Sequence, residues 1–204
     1  MTDMTDQSLL SVSADPTGIK MMVKEINENL APAVADAAAR GISNLLYDHF
    51  LKRNERPGRP GWPKSDYWAD AAESVIVSSW KNGDAEVLAR ASGLLMHRDG
   101  GTILPKRGRF LAIPIHPMVA GIWPREIMQR EKDVKLIPVR GGKGEGYLLA
   151  LQVTDEVKLP LWRLARKATL KPDPSVLPTL EEQTEAATTA GKDALDALTG
   201  KDGG

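Results

Sequence analysis

The side chains best fitted to proton transfer or metal binding near neutral pH are three histidines, His49, His97 and His116. They are dispersed along the chain, with no His-x-x-x-His pair. Metal binding and acid–base catalysis both need several such groups to converge, so each reads as a surface or boundary histidine. Glu25 with Glu28, and Glu181 with Glu182 and Glu185, fall on expected helices. They read as solvated faces, not paired catalytic acids. Ser and Asp are plentiful, but no Gly-x-Ser-x-Gly elbow occurs. The absence of cysteine excludes disulfides, thiolate zinc sites and thiol catalysis. The Gly-rich run 141–146 lacks the Gly-Lys-Ser/Thr of a phosphate loop and leads into Tyr147-Leu148-Leu149, so it reads as a hairpin loop. No cofactor or metal follows from these residues.

What remains is chemistry of contact. Lys52, Arg53, Arg56, Arg59 and Lys64 surround a Pro-rich loop near Trp62 and Trp68. Arg98, Lys106, Arg107 and Arg109 form a second basic group. The ordinary reading is snorkelling side chains and surface ion pairs. The sharper one is contact with an acidic partner or a nucleic-acid backbone. Trp62, Trp68, Trp80, Trp123 and Trp162 supply large contact areas, either in a core or as anchors between subunits.

The 204 residues suit one domain or one domain with tails, and 42% hydrophobic content supports a real core. Net charge is zero, 27 basic against 27 acidic side chains, so whole-chain electrostatics give no case for nucleic-acid binding. The sum is uneven. Residues 158–171 carry Lys158, Arg163, Arg166, Lys167 and Lys171 with no acid, whereas 172–204 carry seven acids against Lys192 and Lys201. Met1 to Leu10 has neither the basic nor the apolar region of a signal peptide, and no run approaches the ~18 apolar residues of a membrane span. The expectation is a soluble protein retained in the cell that makes it.

These residues have to be positioned by an α+β fold: a long N-terminal helix packed on a mainly antiparallel β-sheet, with a C-terminal helical tail. Residues 1–17 read as a disordered leader, 18–177 as a single α+β domain, and 178–204 as a C-terminal helix and flexible tail. Val34, Ala38, Ile42, Leu45, Leu46 and Phe50 make one helical stripe, with Pro32 in the first turn and an end near Asn54. Ser65 is placed to cap a short helix carrying Tyr67, Trp68, Ala71 and Ala72. Val75–Trp80 and Ala85–Arg90 read as strands joined at Asn82-Gly83. Short strands follow at Thr102–Leu104 and Arg109–Ile115, then an irregular or short helical stretch through Trp123 and Arg125. Val134–Arg140 pairs with Tyr147–Val153, and Pro138 puts the first of these at an edge. Leu161–Leu170 reads as one last strand, with Trp162, Leu164, Arg166, Ala168 and Leu170 on one face and Arg163, Lys167 and Thr169 on the other. Thr179 with Glu182 opens the last helix, to about Thr199. Gly191 weakens that helix, and its scarcity of large apolar residues predicts loose packing on its own chain.

The order of several pieces is distinctive. A long helix ends in His49-Phe50, followed by Gly61-Trp62-Pro63 and Tyr67-Trp68-Ala69-Asp70-Ala71-Ala72. Then come Gly100-Gly101-Thr102-Ile103, Leu111-Ala112-Ile113-Pro114, Trp162-Arg163-Leu164 and Asp173-Pro174-Ser175-Val176-Leu177-Pro178. Over roughly residues 35–190 this resembles a family from Mu-like phages and prophages, grouped with virion morphogenesis and tail-completion (neck) proteins. The Gly-Gly-Thr-Ile and Asp-Pro-Ser-Val-Leu-Pro pieces are the most specific. The loop between Val139 and Tyr147 is shorter than the resemblance leads one to expect.

The resemblance implies a small α+β domain that assembles with itself as a ring, commonly a hexamer, where tail meets head. It implies no enzymatic activity and no cofactor. The location would be the virion tail or neck, with the host cytoplasm during assembly. Partners would be head-closure or connector proteins and tail-tube or terminator proteins, with no membrane. On that footing Trp62, Trp68, Trp123, Trp162, Arg163 and Lys167 are candidate contacts between subunits or with partners. The acidic C-terminal helix is a candidate complement for the basic 158–171 segment of a neighbour. Lys106, Arg107 and Arg109 are candidates to line a channel for DNA, which needs only non-specific contact. A tail terminator or other minor tail protein is the alternative within the class. A non-specific DNA-binding module is the alternative from another class.

Overall fold

A computed structural model of the chain describes residues 20, 21, 24, 26–79, 84–106, 108–130, 135–142, 146–154 and 156–200. The expected leader, the Asn82-Gly83 turn, Trp80, Arg107 and the final four residues lie outside them. The class is α+β.

A π-helical turn, Ile26–Leu30, leads into helix α1, Ala31–Asn54. Pro32 is the second residue of α1, directly after the π-helical turn, so its missing N–H omits one backbone bond where the two helical geometries meet. Lys52 and Arg53 close the last turn, facing the negative end of the helix dipole. Helix α2 (Tyr67–Glu73) follows, with the Ser65 hydroxyl accepting from the Tyr67 amide at 3.3 Å. Strands β1 (Val75–Ser79) and β2 (Ala85–Ala89) pair with each other. Next come helix α3 (Leu94–Asp99), β3 (Gly101–Ile103), β4 (Leu111–Pro114) and helix α4 (Pro124–Arg130). The chain continues through β5 (Lys135–Arg140), β6 (Tyr147–Gln152), β7 (Lys158–Ala165) and β8 (Ala168–Leu170) to helix α5 (Leu180–Leu198). Helix α3 was not expected. Its start has Gly93 in the left-handed region (φ 86°) and no side-chain cap, so the usual start signal is missing.

The chain groups into two compact units. One contains Met1–Leu45, Ile76–Leu88 and Leu180–Gly204; the other contains Leu46–Val75 and Ala89–Thr179. Helix α1 runs from the first into the second.

In the first unit α5 lies antiparallel against the start of α1. Val34 and Ala38 meet Gly191, while Gly41 meets Ala186 and Ala190. A Cβ on Gly41 would stand 2.6 Å from the Ala186 carbonyl oxygen and 2.8 Å from the Ala190 methyl. The expectation of loose packing is therefore corrected. Small residues do not weaken this contact; they allow the two backbones to approach, and Gly191 is buried in it.

The second unit holds two antiparallel sheets. Strands β3 and β8 pair alone, and the four-stranded sheet has the order β4-β7-β6-β5. Pro138 does lie on an edge strand, β5. The opposite edge, β4, ends in Pro114. Because the Ile115 amide points inward to the Leu161 carbonyl (2.9 Å), the nitrogen of Pro114 faces outward. The expected single strand 161–170 is two strands in different sheets, broken at Arg166–Lys167, so the two faces expected for it do not run through. Nothing in the local sequence breaks it; the two halves have different partners.

The core of this sheet is Val119, Leu161 and Trp162, all fully buried, with Ala112, Ile127, Leu136, Leu149, Leu151 and Leu159 packed around them. Two adjacent buried residues violate the alternation of a strand. A bulge is the reason. Leu149 pairs with Trp162 and Ala150 with Pro160, so Leu161 is the extra residue, and both large side chains serve one core.

Candidate functional site

The signature pieces of the sequence meet in the second unit. The last turn of α1 presents His49, Phe50 and Arg53. Phe50, fully buried, stacks on Trp68 of α2 with ring centroids 6.1 Å apart and planes at 22°. Tyr67 meets the Trp68 ring edge-on at 5.0 Å, and His97 of α3 lies 5.0 Å from Tyr67 and 5.4 Å from Trp68. The Arg53 guanidinium carbon sits 4.4 Å from the Trp68 ring centroid, within range of a cation–π contact.

Arg53 is 7% exposed and ties this aromatic group to residues about 120 positions later. Its Nη1 donates to the Ser175 carbonyl (2.7 Å) and to the Ser175 hydroxyl oxygen (3.0 Å), and its Nη2 donates to Asp173 Oδ2 (2.7 Å). His49 Nε2 lies 3.0 Å from the same carbonyl. A carbonyl only accepts, so Nε2 carries the proton. Asp173 starts the 3₁₀ turn Pro174–Val176, with Oδ1 accepting from the Ser175 amide (3.1 Å) and hydroxyl (2.6 Å). Its own amide donates to the carbonyls of His97 and Arg98. The Gly100-Gly101 pair is required here. Gly100 has φ 71°, and a Cβ would lie 2.7 Å from the Pro172 nitrogen.

Among the described residues, Asp173 is the carboxylate whose pKa is most strongly displaced. Its hydrogen bonds from Ser175, then its bond and charge contact with Arg53, hold its pKa down at about 2. A depressed folded value stabilises the native state above the unfolded pKa, and the contribution is lost as pH falls towards 2. We expect Asp173→Asn to flatten the acid limb of stability between about pH 5 and pH 2 relative to the wild type. Urea midpoints across that range measure it. Equal slopes would show that the pairing contributes nothing. Burial also raises the Tyr67 pKa, and its hydroxyl has no hydrogen-bond partner among the described residues.

The tryptophans divide. Trp162 is fully buried in the sheet core, so it offers nothing to a neighbour; core packing is its role. Trp68 is half-buried in the aromatic group. Trp62 is half-buried beneath the Arg59 guanidinium, 4.8 Å away. Trp123 is 66% exposed just before α4 and keeps its candidacy as a contact residue. His116 caps the turn Pro117–Val119, its Nδ1 accepting from the Met118 amide.

The structure brings together two basic segments that lie about sixty residues apart. Strand β3 ends with Ile103 beside Ala168, and β4 begins with Leu111 beside Ala165. The segment 104–110 therefore spans the Arg166–Lys167 junction. Lys106, Arg109, Arg163, Arg166 and Lys167 are all exposed, and none has a carboxylate within 4.0 Å among the described residues. Arg163 shares its sheet face with its cross-strand partners Ile113 and Leu148. Neither the Arg53–Asp173–Ser175 framework nor this basic junction was anticipated, because both depend on pairing between distant strands.

No helix among the described residues is long and apolar enough to cross a membrane. No protein-family model, curated protein or solved structure matches the chain.

Proposed function

We propose that this chain is a structural virion protein of the head–tail junction, a neck or tail-completion protein forming a ring that joins tail to head around the DNA path. The observation that carries the reading is the convergence of the resemblance-bearing pieces. His49-Phe50, Tyr67-Trp68, Gly100-Gly101 and Asp173-Pro174-Ser175 interlock as one framework. Within it, the polar groups suited to chemistry are committed to holding backbone: Asp173 caps a turn, Arg53 and His49 clamp a carbonyl, and His97 packs among rings. Such a framework presents loops and charges to partners.

The test is electron microscopy of particles from a phage carrying a stop codon early in this gene. Free filled heads beside unattached tails are expected. Overlong or ragged tails would reassign the protein as a tail terminator. Intact infectious particles would overturn the structural role and leave a DNA-binding module as the better reading.

A further inference from the structure

The zero net charge of the chain is a cancellation between its two units. The unit made of Leu46–Val75 and Ala89–Thr179 carries 21 Lys and Arg against 13 Asp and Glu, a net of +8. The other carries 6 against 14, a net of −8. Each unit holds a surplus that the other could neutralise only in full.

Both surpluses have a local focus. On the basic unit it is the junction of Lys106, Arg109, Arg163, Arg166 and Lys167, fixed by the β3–β8 and β4–β7 pairings and without a neighbouring carboxylate among the described residues. Like charges gathered on one surface without counter-charges raise the local potential and favour an anionic partner. On the acidic unit the focus is α5. One side of that helix, Ala186, Ala190 and Gly191, is used against α1. The other side is exposed and carries Glu181 and Glu185, with Leu180, Thr184, Thr188 and Thr189, along a depression of about 750 Å³.

We propose that the basic junction of one copy receives the acidic outer face of α5 from a second copy. The argument is charge complementarity: one chain carries equal and opposite surpluses on separate units, a distribution suited to repeated head-to-tail contact between identical copies. Each copy gives one face and accepts the other, so the contact is heterologous and generates a ring where the rotation closes. The inference rests on the self-assembling ring of the proposed function and names the surfaces that would build it.

The test is a mixing experiment read by sedimentation velocity. Arg166→Glu with Lys167→Glu leaves three of the junction's five basic residues and sets two carboxylates against the acidic helix; Glu181→Lys with Glu185→Lys makes a chain basic on both faces. Each alone is expected to raise the concentration of half-assembly about a hundredfold, since like charges then face each other. Mixed one to one, they are expected to reassemble, because every junction again pairs opposite charges. The neutral pair Arg166→Gln with Lys167→Gln guards against misfolding: it should keep its circular dichroism spectrum and lose the salt sensitivity of assembly. Folded variants that stay apart on mixing, or that assemble like the wild type, overturn this interface while leaving the ring reading in place. A wild type that stays monomeric at every concentration overturns the interface and removes self-assembly from that reading. A mixed-sequence DNA duplex bound by the wild type and lost in Arg166→Glu with Lys167→Glu, at unchanged mass, assigns the junction to nucleic acid instead.

Discussion

Trp162→Ala is expected to lower the stability of the sheet-bearing unit by about 4 kcal/mol, the range for emptying a large aromatic site. Trp162 is the largest fully buried side chain, and it shares its core with Val119 and the bulged Leu161. The sheet cannot collapse onto the void, because Trp162 sits on the central strand β7 with paired strands on both sides. Its indole nitrogen has no hydrogen-bond partner among the described residues. Trp162→Phe therefore removes an unsatisfied donor along with some volume, and should cost only about 1 kcal/mol. Urea unfolding of the full-length variants, followed by circular dichroism, gives both numbers. Equal losses for Ala and Phe would show that the indole bond is satisfied in solution and that packing is not the main contribution.

Arg53→Ala is expected to cost about 3 kcal/mol, because it removes the guanidinium that bridges Asp173 and Ser175 and empties a buried site against Trp68. Arg53→Lys should recover only part of that. A single ammonium cannot reproduce the fork that reaches Ser175 and Asp173 together while lying flat on the indole. Denaturant midpoints decide the matter. A lysine variant as stable as the wild type would mean that charge alone, not fork geometry, holds the turn.

The division between what could and could not be read from the sequence follows the range of the interactions. The helix ending at Asn54, the β5–β6 hairpin and the edge position of Pro138 rest on local periodicity and turn chemistry, so they were legible. The break at Arg166–Lys167 was not, because it reflects partner strands β3, β4 and β6 and no local breaker. Reading 161–170 as one strand also separated Lys106 and Arg109 from Lys167, which the strand pairing brings to one junction. The bulge at Leu161 and the Arg53–Asp173 bond depend on segments many residues apart. Arg53 looked like one of five surface bases flanking a loop, yet it alone among them is buried. Helix α5 was misjudged for a different reason. A composition of Ala, Thr and Gly lowers the expected burial per residue, but it also permits the close backbone approach seen at Gly41.

The prolines at the two margins of the four-stranded sheet bear on how such a protein survives its own synthesis. Any chain with sheet margins open to solvent risks recruiting further copies by backbone hydrogen bonding and growing into insoluble fibrils. Pro114 and Pro138 each withhold a donor on a margin where an intruding strand would have to zip up. Chance encounters between copies are thereby steered away from ladder extension, which has no natural end.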